Sequence, residues 1–306
     1  MDPAFLEAVA RVGTPLLLAA LGELILERSG VLNIGIEGVL LSGAFFGFLA
    51  AWATGSPAAG ALAALLAGAL LAAALAFMVL RLKADSIVVG MALNLVAFGI
   101  TGIGYVILDA QTKAHGGVKL VRAPTFGAML PELAGVPILG PLFFDQSALT
   151  WLAFALVPLL WYYLERSERG LELRAVGEHP AAAESSGIDV TWCRFKACLA
   201  AGALGGLAGG FLTISQTSAF TPKCTAGRGF VALAAVVLGR YGAWGTAAAC
   251  LFFGAAFSAR DYLQVKGLQV PYELLEILPY ALTVAALGLS HLRRTGAPAA
   301  LGKPYG

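Results

Sequence analysis

Three groups of polar side chains stand inside stretches that are otherwise apolar, and hydrogen bonding to a polar solute is the chemistry they offer. The first is Gly30-Val31-Leu32-Asn33-Ile34-Gly35-Ile36-Glu37-Gly38. Its three glycines weaken a helix, each costing about 1 kcal/mol relative to alanine. Unwound backbone at membrane depth survives only where protein or a water-filled cavity satisfies it. Asn33 and Glu37 are four apart, so on a helix they share a face. One reading is a broken segment lining a polar pathway. The other is a turn followed by a helix start that Glu37 caps, and the residues leave both open. The second group is Thr213-Ile214-Ser215-Gln216-Thr217-Ser218-Ala219-Phe220-Thr221-Pro222. It closes a stretch rich in glycine (Gly202, Gly205, Gly206, Gly209, Gly210) and leads into Gly227-Arg228-Gly229-Phe230. Ser215, Gln216 and Thr217 offer hydrogen bonds, and Phe220 a ring for stacking. The competing reading is an exposed loop with a packing phenylalanine. The third is Asn94, alone in MALNLVAF. A lone asparagine in a membrane more often bonds a neighbouring helix than a ligand. Two glycine-broken polar segments, one in each half, mark a central binding site in many transporters.

The surroundings of these residues set the class. Of 306 residues, 59% are hydrophobic and 12% charged. A soluble domain has roughly 45–50% apolar and 25% charged residues. The chain is therefore expected to be an integral membrane protein. A net charge of +2 argues against a nucleic-acid partner, which needs a basic face. Cys193, Cys198, Cys224 and Cys250 show no metal or redox spacing and read as small packing residues. Residues 1–10 lack a basic n-region, so no cleaved leader is expected.

A spanning helix needs about 20 apolar residues. Candidates are Phe5–Leu26, two spans within Val39–Leu80 split at Gly55-Ser56-Pro57, Ser86–Leu108, Gln146–Leu164, Ala197–Pro222, Gly229–Gly239, Tyr241–Ala259 and Pro271–Ser290. Gly229–Gly239 reaches only about half of the ~30 Å hydrocarbon core. Either Arg228 and Arg240 snorkel to extend it, or it is half of a broken helix. With alternating spans, Arg28, Arg81, Lys83, Arg166, Arg169, Arg174, Arg194, Lys196, Arg240, Arg293 and Arg294 collect on one side, the cytoplasmic one. The turn at 53–57, the loop 109–148, the link 223–228 and the loop 260–271 fall outside. Lys113, Lys119, Arg122, Lys223, Arg228, Arg260 and Lys266 there soften the contrast. The fold expected is all-α, one transmembrane domain over 1–306, with about nine spans (8–10), broken or re-entrant segments, the N-terminus out and the C-terminus in. The alternation typical of membrane β-strands is absent.

A charged island, residues 165–196, interrupts this pattern. Five basic residues (166, 169, 174, 194, 196) mix with six acidic ones (165, 168, 172, 178, 184, 189), which is not a lipid-binding basic patch. Pro180 opens PAAAESSGI, a run suited to a short helix with proline at its first position and Gly187 near its end. RGLELRAVGE before it offers another turn or two. The island reads as a cytoplasmic loop with short surface helices, suited to docking a soluble partner through residues 170–190. The residues proposed for that contact are Arg174, Gly177, Glu178, His179, Ala182, Glu184 and Gly187. A solvated loop without a partner is the plain alternative.

Three blocks carry a family resemblance. GVLNIGIEGVLLSGAF (30–45), RGLELRAVGEHPAAAESSGIDVTWCRFKACLAAGALGGLAGG (169–210) and GRGFVALAAVVLGRYGAWGTAAACLFFG (227–254) resemble the signatures of ABC-importer permeases for simple sugars and nucleosides, kin to branched-chain amino acid permeases. The second block is similar to the family's cytoplasmic coupling segment. His179 stands where the family often has Asn. The resemblance implies a multi-pass protein of a prokaryotic cytoplasmic membrane that moves nucleosides, or alternatively ribose-type sugars or branched-chain amino acids. It implies a second permease subunit, usually making a heterodimer, a cytoplasmic ATPase that holds ATP and Mg, and an extracytoplasmic substrate-binding lipoprotein. The form with Glu37 is most similar to the nucleoside branch.

No G-x-x-x-x-G-K-S/T loop occurs, so hydrolysis of ATP belongs to a partner and no cofactor is expected in this chain. The pathway residues are then Asn33, Glu37, Asn94, Ser215, Gln216, Thr217 and Phe220. An ion-coupled secondary transporter is the competing class. It needs carboxylates in relay, for which Glu23 and Glu37 are the candidates, with Glu273 and Glu276 placed at an interface. A membrane enzyme is disfavoured, because His115, His179 and His291 fall in loops or at span ends and no catalytic constellation stands out.

Overall fold

A computed structural model describes residues 3–114, 146–265 and 296–303, with single positions at 277, 281, 284 and 288. Its elements are α1 (Pro3–Arg28), α2 (Ile36–Thr54), α3 (Pro57–Ala76), α4 (Ser86–Ala114), α5 (Ala148–Arg166), α6 (Glu168–Glu178), α7 (Pro180–Ser185), α8 (Val190–Phe211), α9 (Arg228–Leu238) and α10 (Ala243–Val265). The described residues are helical with no strand. Among the described residues, six helices are long and apolar enough to span a membrane: Phe5–Arg28, Ile36–Thr54, Pro57–Arg81, Ser86–Gln111, Ala148–Arg166 and Val190–Thr217. The expected span Pro271–Ser290 and most of the loop 109–148 lie outside the described residues, as do His115 and His291.

Local chemistry sets the element ends. Between α2 and α3, Gly55 takes the left-handed conformation at φ 67°, the Ser56 hydroxyl accepts from the Ala59 amide at 3.4 Å, and Pro57 opens the next helix. This is the expected split at 55–57, made by the residues that favour a C-terminal stop and an N-terminal start. The island obeys the same rules. Ser167 caps α6 by accepting from Gly170 N at 3.0 Å, Pro180 opens α7, Gly187 closes its turn at φ 88°, and Asp189 caps α8 by accepting from Trp192 N at 2.8 Å. Helix α8 therefore begins at Val190, seven residues before the apolar stretch. Trp192–Lys196 belong to its first turns.

Helix α1 is the axis of the bundle and is almost wholly buried. Helices α5, α8, α9 and α10 pack around it. Helices α2, α3 and α8 form a second tight group, with α4 laid against α2. Small residues make that approach possible, as packing between membrane helices requires. A Cβ on Gly43 would strike the backbone of Gly206, one on Gly68 that of Gly202, and one on Gly209 the carbonyl of Leu40. After α8, a π-helical stretch, Leu212–Thr217, carries the chain to the far end of the bundle. There the Gln216 amide donates to the Arg11 carbonyl at 2.7 Å. Non-helical chain leads on from there, and α9 carries it to the end where Arg28 Nε donates to the Tyr241 carbonyl at 2.8 Å.

Helix α9 has 11 residues, about 16 Å at 1.5 Å per residue. Non-helical chain flanks it at 218–227 and 239–242, the form expected of half a broken helix. The link 223–228, expected at the outer surface, is corrected in part: Lys223 and Ala226 are exposed, whereas Thr225 is fully buried and bonded to Glu37. A buried carboxylate that needs donors draws the link inward.

Candidate functional site

The polar segments form two clusters. The first surrounds the loop between α1 and α2. Residues 30–35 are not helical and α2 starts only at Ile36, so Asn33 and Glu37 do not share a helical face. Asn33 Nδ2 donates to Glu23 Oε1 on α1 at 2.8 Å. Asn94 on α4 holds the loop from the other side. Its Oδ1 accepts from Gly38 N at 2.7 Å and its Nδ2 donates to the Ile34 carbonyl at 2.9 Å. It thus bonds a neighbouring segment, the expectation for a lone membrane asparagine. Asn94→Ala should strand the Gly38 amide and Ile34 carbonyl, lowering stability by about 1–3 kcal/mol. Equilibrium unfolding in lipid–detergent mixtures checks this value.

Glu37 lies 3% exposed in the first turn of α2 and caps a helix distant in sequence. Its Oε1 accepts from Thr225 Oγ1 at 2.6 Å and Gly227 N at 2.8 Å, and its Oε2 accepts from Gly229 N at 2.8 Å. Gly227 has no side chain to cap α9. The carboxylate supplies that cap across the bundle, where the helix dipole favours negative charge. Gly229 keeps the approach open, since a Cβ there would fall 2.8 Å from Glu37 Oε2. Glu37 therefore caps a helix as expected, but the helix is α9 rather than the one it begins.

The second cluster sits at the far end. Thr217 Oγ1 bonds the carbonyls of Leu212 at 3.0 Å and Ala219 at 2.7 Å, and Ser215 is half-buried. Phe220 is 4% exposed, with its ring 5.1 Å from Phe45 edge-on and 6.1 Å from Tyr105. Its ring packs against protein in this conformation. Thr213 Oγ1 donates to the Ala44 carbonyl at 2.9 Å, tying the π-helical turn to α2. The structure brings Asn33, Glu37 and Asn94 together and leaves 215–217 apart from them. Thr225, Glu27 and the segment 296–303 were not singled out from sequence. Thr225 is 188 positions from its partner, and in sequence only its place two residues before Gly227 set it apart.

The island residues separate by exposure. Glu178, His179, Ala182, Glu184 and Gly187 are exposed, Arg174 is half-buried and Gly177 is buried. Arg174 pairs with Glu165 at 3.2 Å. Gly177 packs directly on α1, where a Cβ would strike the Arg28 carbonyl. The segment 296–303 lies over this joint. Ala300 N donates to the Gly177 carbonyl at 3.0 Å, Gly302 N to the Gly30 carbonyl at 3.0 Å, and Ala299 N to Glu178 Oε2 at 3.1 Å. Beneath α6 and α7, Val176, Ala183 and Val190 form a small core of their own. The elbow is thus a compact surface element, with its buried side fastened to the α1–α2 loop.

A family model described as branched-chain amino acid transport system / permease component matches residues 5–287. The chain belongs to this permease family. It is a multi-pass protein of the prokaryotic inner membrane and a transport permease subunit. The permease is 37% identical, over 95% of its length and 92% of the relative, to a guanosine ABC transporter permease protein of Bacillus subtilis. It is 34% identical to a nucleoside ABC transporter permease protein of Lactococcus lactis, over 95% of its length and 93% of the relative. A putative glucose ABC transporter permease protein of Haloferax volcanii is 36% identical over 77% of this chain and 70% of its own.

Proposed function

We propose that this permease imports nucleosides across the cytoplasmic membrane, driven by a separate ATPase that binds ATP and Mg and docks on the cytoplasmic elbow α6–α7. The observation that carries the substrate class is the full-length similarity to permeases named for guanosine and nucleosides. Similarity to the glucose-type relative covers less of the chain, so simple sugars are the second choice. A second permease subunit completes the pathway as a heterodimer, and an extracytoplasmic binding lipoprotein delivers the solute.

The elbow has the physical means to pass on a push. Its outer face carries His179, Ala182, Glu184 and Gly187, all small or polar. Its inner face contacts Arg28 through Gly177, and the segment 296–303 ties it to Gly30. The loop that begins at Gly30 leads into the first turn of α2, where the Glu37 carboxylate holds the start of α9. A rigid movement of the elbow therefore reaches α9 through backbone and one buried carboxylate, a contiguous route of the kind coupling requires. The proposed pathway runs beside this latch, between Asn33, Glu37 and Asn94 and the 215–220 turn, and opens when the latch shifts.

Filling the exposed face tests the docking. Ala182→Trp combined with Glu184→Lys should cut solute-stimulated ATPase of the reconstituted complex about tenfold or more, as loss of a buried interface contact does. Thermal stability of the permease alone should not change, because both side chains face out. Unaltered ATPase and uptake would remove the elbow as the docking site. Uptake of labelled guanosine against labelled glucose, with ATP depletion compared to an uncoupler, tests substrate and energy source together.

A further inference from the structure

The core of the bundle holds two acids that the transport reading does not use. Glu23 and Glu27 lie on one face of α1, four residues apart, and each is 1% exposed. The Oε2 atom of each is buried without a hydrogen-bond partner, and so is Oδ1 of Asn33, itself 2% exposed. Asn33 is placed beside the pair by its bond to Glu23 Oε1 at 2.8 Å. Asn33 Nδ2 is the one donor bonded to the pair, so that one carboxyl oxygen of each acid, and Oδ1 of Asn33, stay buried acceptors without a bonded donor. Among the described residues, no ion pair reaches either acid.

The facing groups do not remedy this. On α1 itself, Arg28 directs its Nε to the Tyr241 carbonyl at 2.8 Å, and beyond it lie Glu165, Arg174 and Glu178 of α5 and α6. On α8, Arg194 Nε donates to the Ser29 carbonyl at 3.1 Å, and the Cys198 thiol stands near Glu23. Tyr241, in the turn after α9, stands near Glu27. Helix α9 carries no titratable side chain after Arg228. On α10, Cys250 lies beside Gly13, ten residues up α1, and Arg260 pairs with Asp261 at 2.8 Å. Two carboxyls left ionised here, buried on the same helical face, would repel each other. Two carboxyls and one amide by themselves fall short of the six to eight oxygen ligands of a calcium site. No group of three metal-ligating side chains occurs among the described residues.

We propose that the Glu23–Glu27 pair is a proton-binding site, carrying a bound proton at neutral pH that Asn33 helps to hold. One proton converts a carboxyl oxygen of the pair from acceptor to donor, so that two orphan carboxyl acceptors become one donor and one acceptor. Asn33 sits on the loop fixed by Glu37 and Asn94, so movement of that loop changes how firmly the proton is held.

The test is infrared spectroscopy of the full chain in lipid bilayers. The wild type should show the carbonyl band of a protonated carboxyl at neutral pH, lost as the pH is raised and slow to shift in heavy water. The double variant Glu23→Gln with Glu27→Gln should lack it, while Glu7→Gln, at a half-exposed acid paired with Arg11, should keep it. Glutamine mimics the neutral acid in shape. The single variants serve if the double does not fold, and loss or displacement of the band in either supports the site. Absence of the band from folded wild type, its persistence in the double variant or in both singles, or its removal by saturating sodium at fixed pH would each overturn the proposal. The last would assign the site to a monovalent cation.

Discussion

Glu37→Ala is expected to destabilise the permease by about 3–5 kcal/mol, the cost of breaking a buried, fully bonded charged group. The substitution strands the Thr225 hydroxyl and the amides of Gly227 and Gly229 inside the protein. No other group is placed to take them, since Gly227 offers no side-chain cap. Each stranded donor carries its own desolvation cost, about 1–3 kcal/mol. Glu37→Gln keeps one acceptor and the volume, so its loss should be roughly half as large. Thr225→Val removes one bond and should cost about 1–2 kcal/mol. Equilibrium unfolding in mixed detergent, read on all three variants, gives this ranking if Glu37 is the cap of α9. Equal and small effects would show that water replaces the cap. The same series should uncouple uptake from ATP hydrolysis, because the carboxylate joins the α1–α2 loop to α9.

Gly209→Leu is the second large effect. A Cβ at this position falls on the Leu40 carbonyl, with the Leu40 carbonyl carbon and the Ala44 amide close behind. Backbone cannot yield as a flexible side chain can, so α8 must separate from α2. Overpacking costs typically 1–3 kcal/mol and sometimes more. Here the added atoms meet two turns of a tightly packed helix, so a loss of about 3 kcal/mol or more is expected. Gly43 and Gly206 lie on the same interface and should respond in the same direction. Gly99 is the control. It is exposed on α4, and a Cβ added there would meet nothing within 4 Å. Gly99→Ala should be neutral or raise stability by up to about 1 kcal/mol through helix propensity. If Gly209→Leu and Gly99→Ala behaved alike, the glycine-lined approach of α8 to α2 would not hold the bundle together.

Much of the architecture was readable because membrane and helix rules are local. The absence of charge from 39 to 80 and the Gly-Ser-Pro punctuation at 55–57 gave α2 and α3 with the right break. Pro180 and Gly187 marked the second island helix, whereas the caps Ser167 and Asp189 emerged only with the structure. The short stretch at 229–239 was recognisable as anomalous from its length alone. Which anomaly it was remained open, because snorkelling and breakage look identical in a string of apolar residues.

The site was legible only in outline. Glu37, Asn33 and Asn94 stood out because polar groups at depth need a reason. Their partners did not, since Thr225 and Gly227 lie about 190 positions from Glu37 and belong to another helix. Phe220 read equally well as a stacking platform and as packing, and the fold sets it against Phe45 and Tyr105. Glu27 drew no notice, being written beside Arg28 at the end of a span. Only the fold shows that Arg28 directs its Nε to Tyr241 while Glu27 stays in the core.

By itself, then, the sequence determined an all-helical membrane protein of the permease family, with a polar surface elbow and two unusual segments. Apolar length, punctuation and capping act within a few residues, so they survive in one dimension. The tertiary structure alone decided that Glu37 caps α9, that the elbow is fastened to Gly30 through Gly177 and residues 300–302, and that two acids share one buried face with no counter-ion among the described residues. Those facts depend on which polar atoms are brought together away from water, and that is settled only when the helices pack.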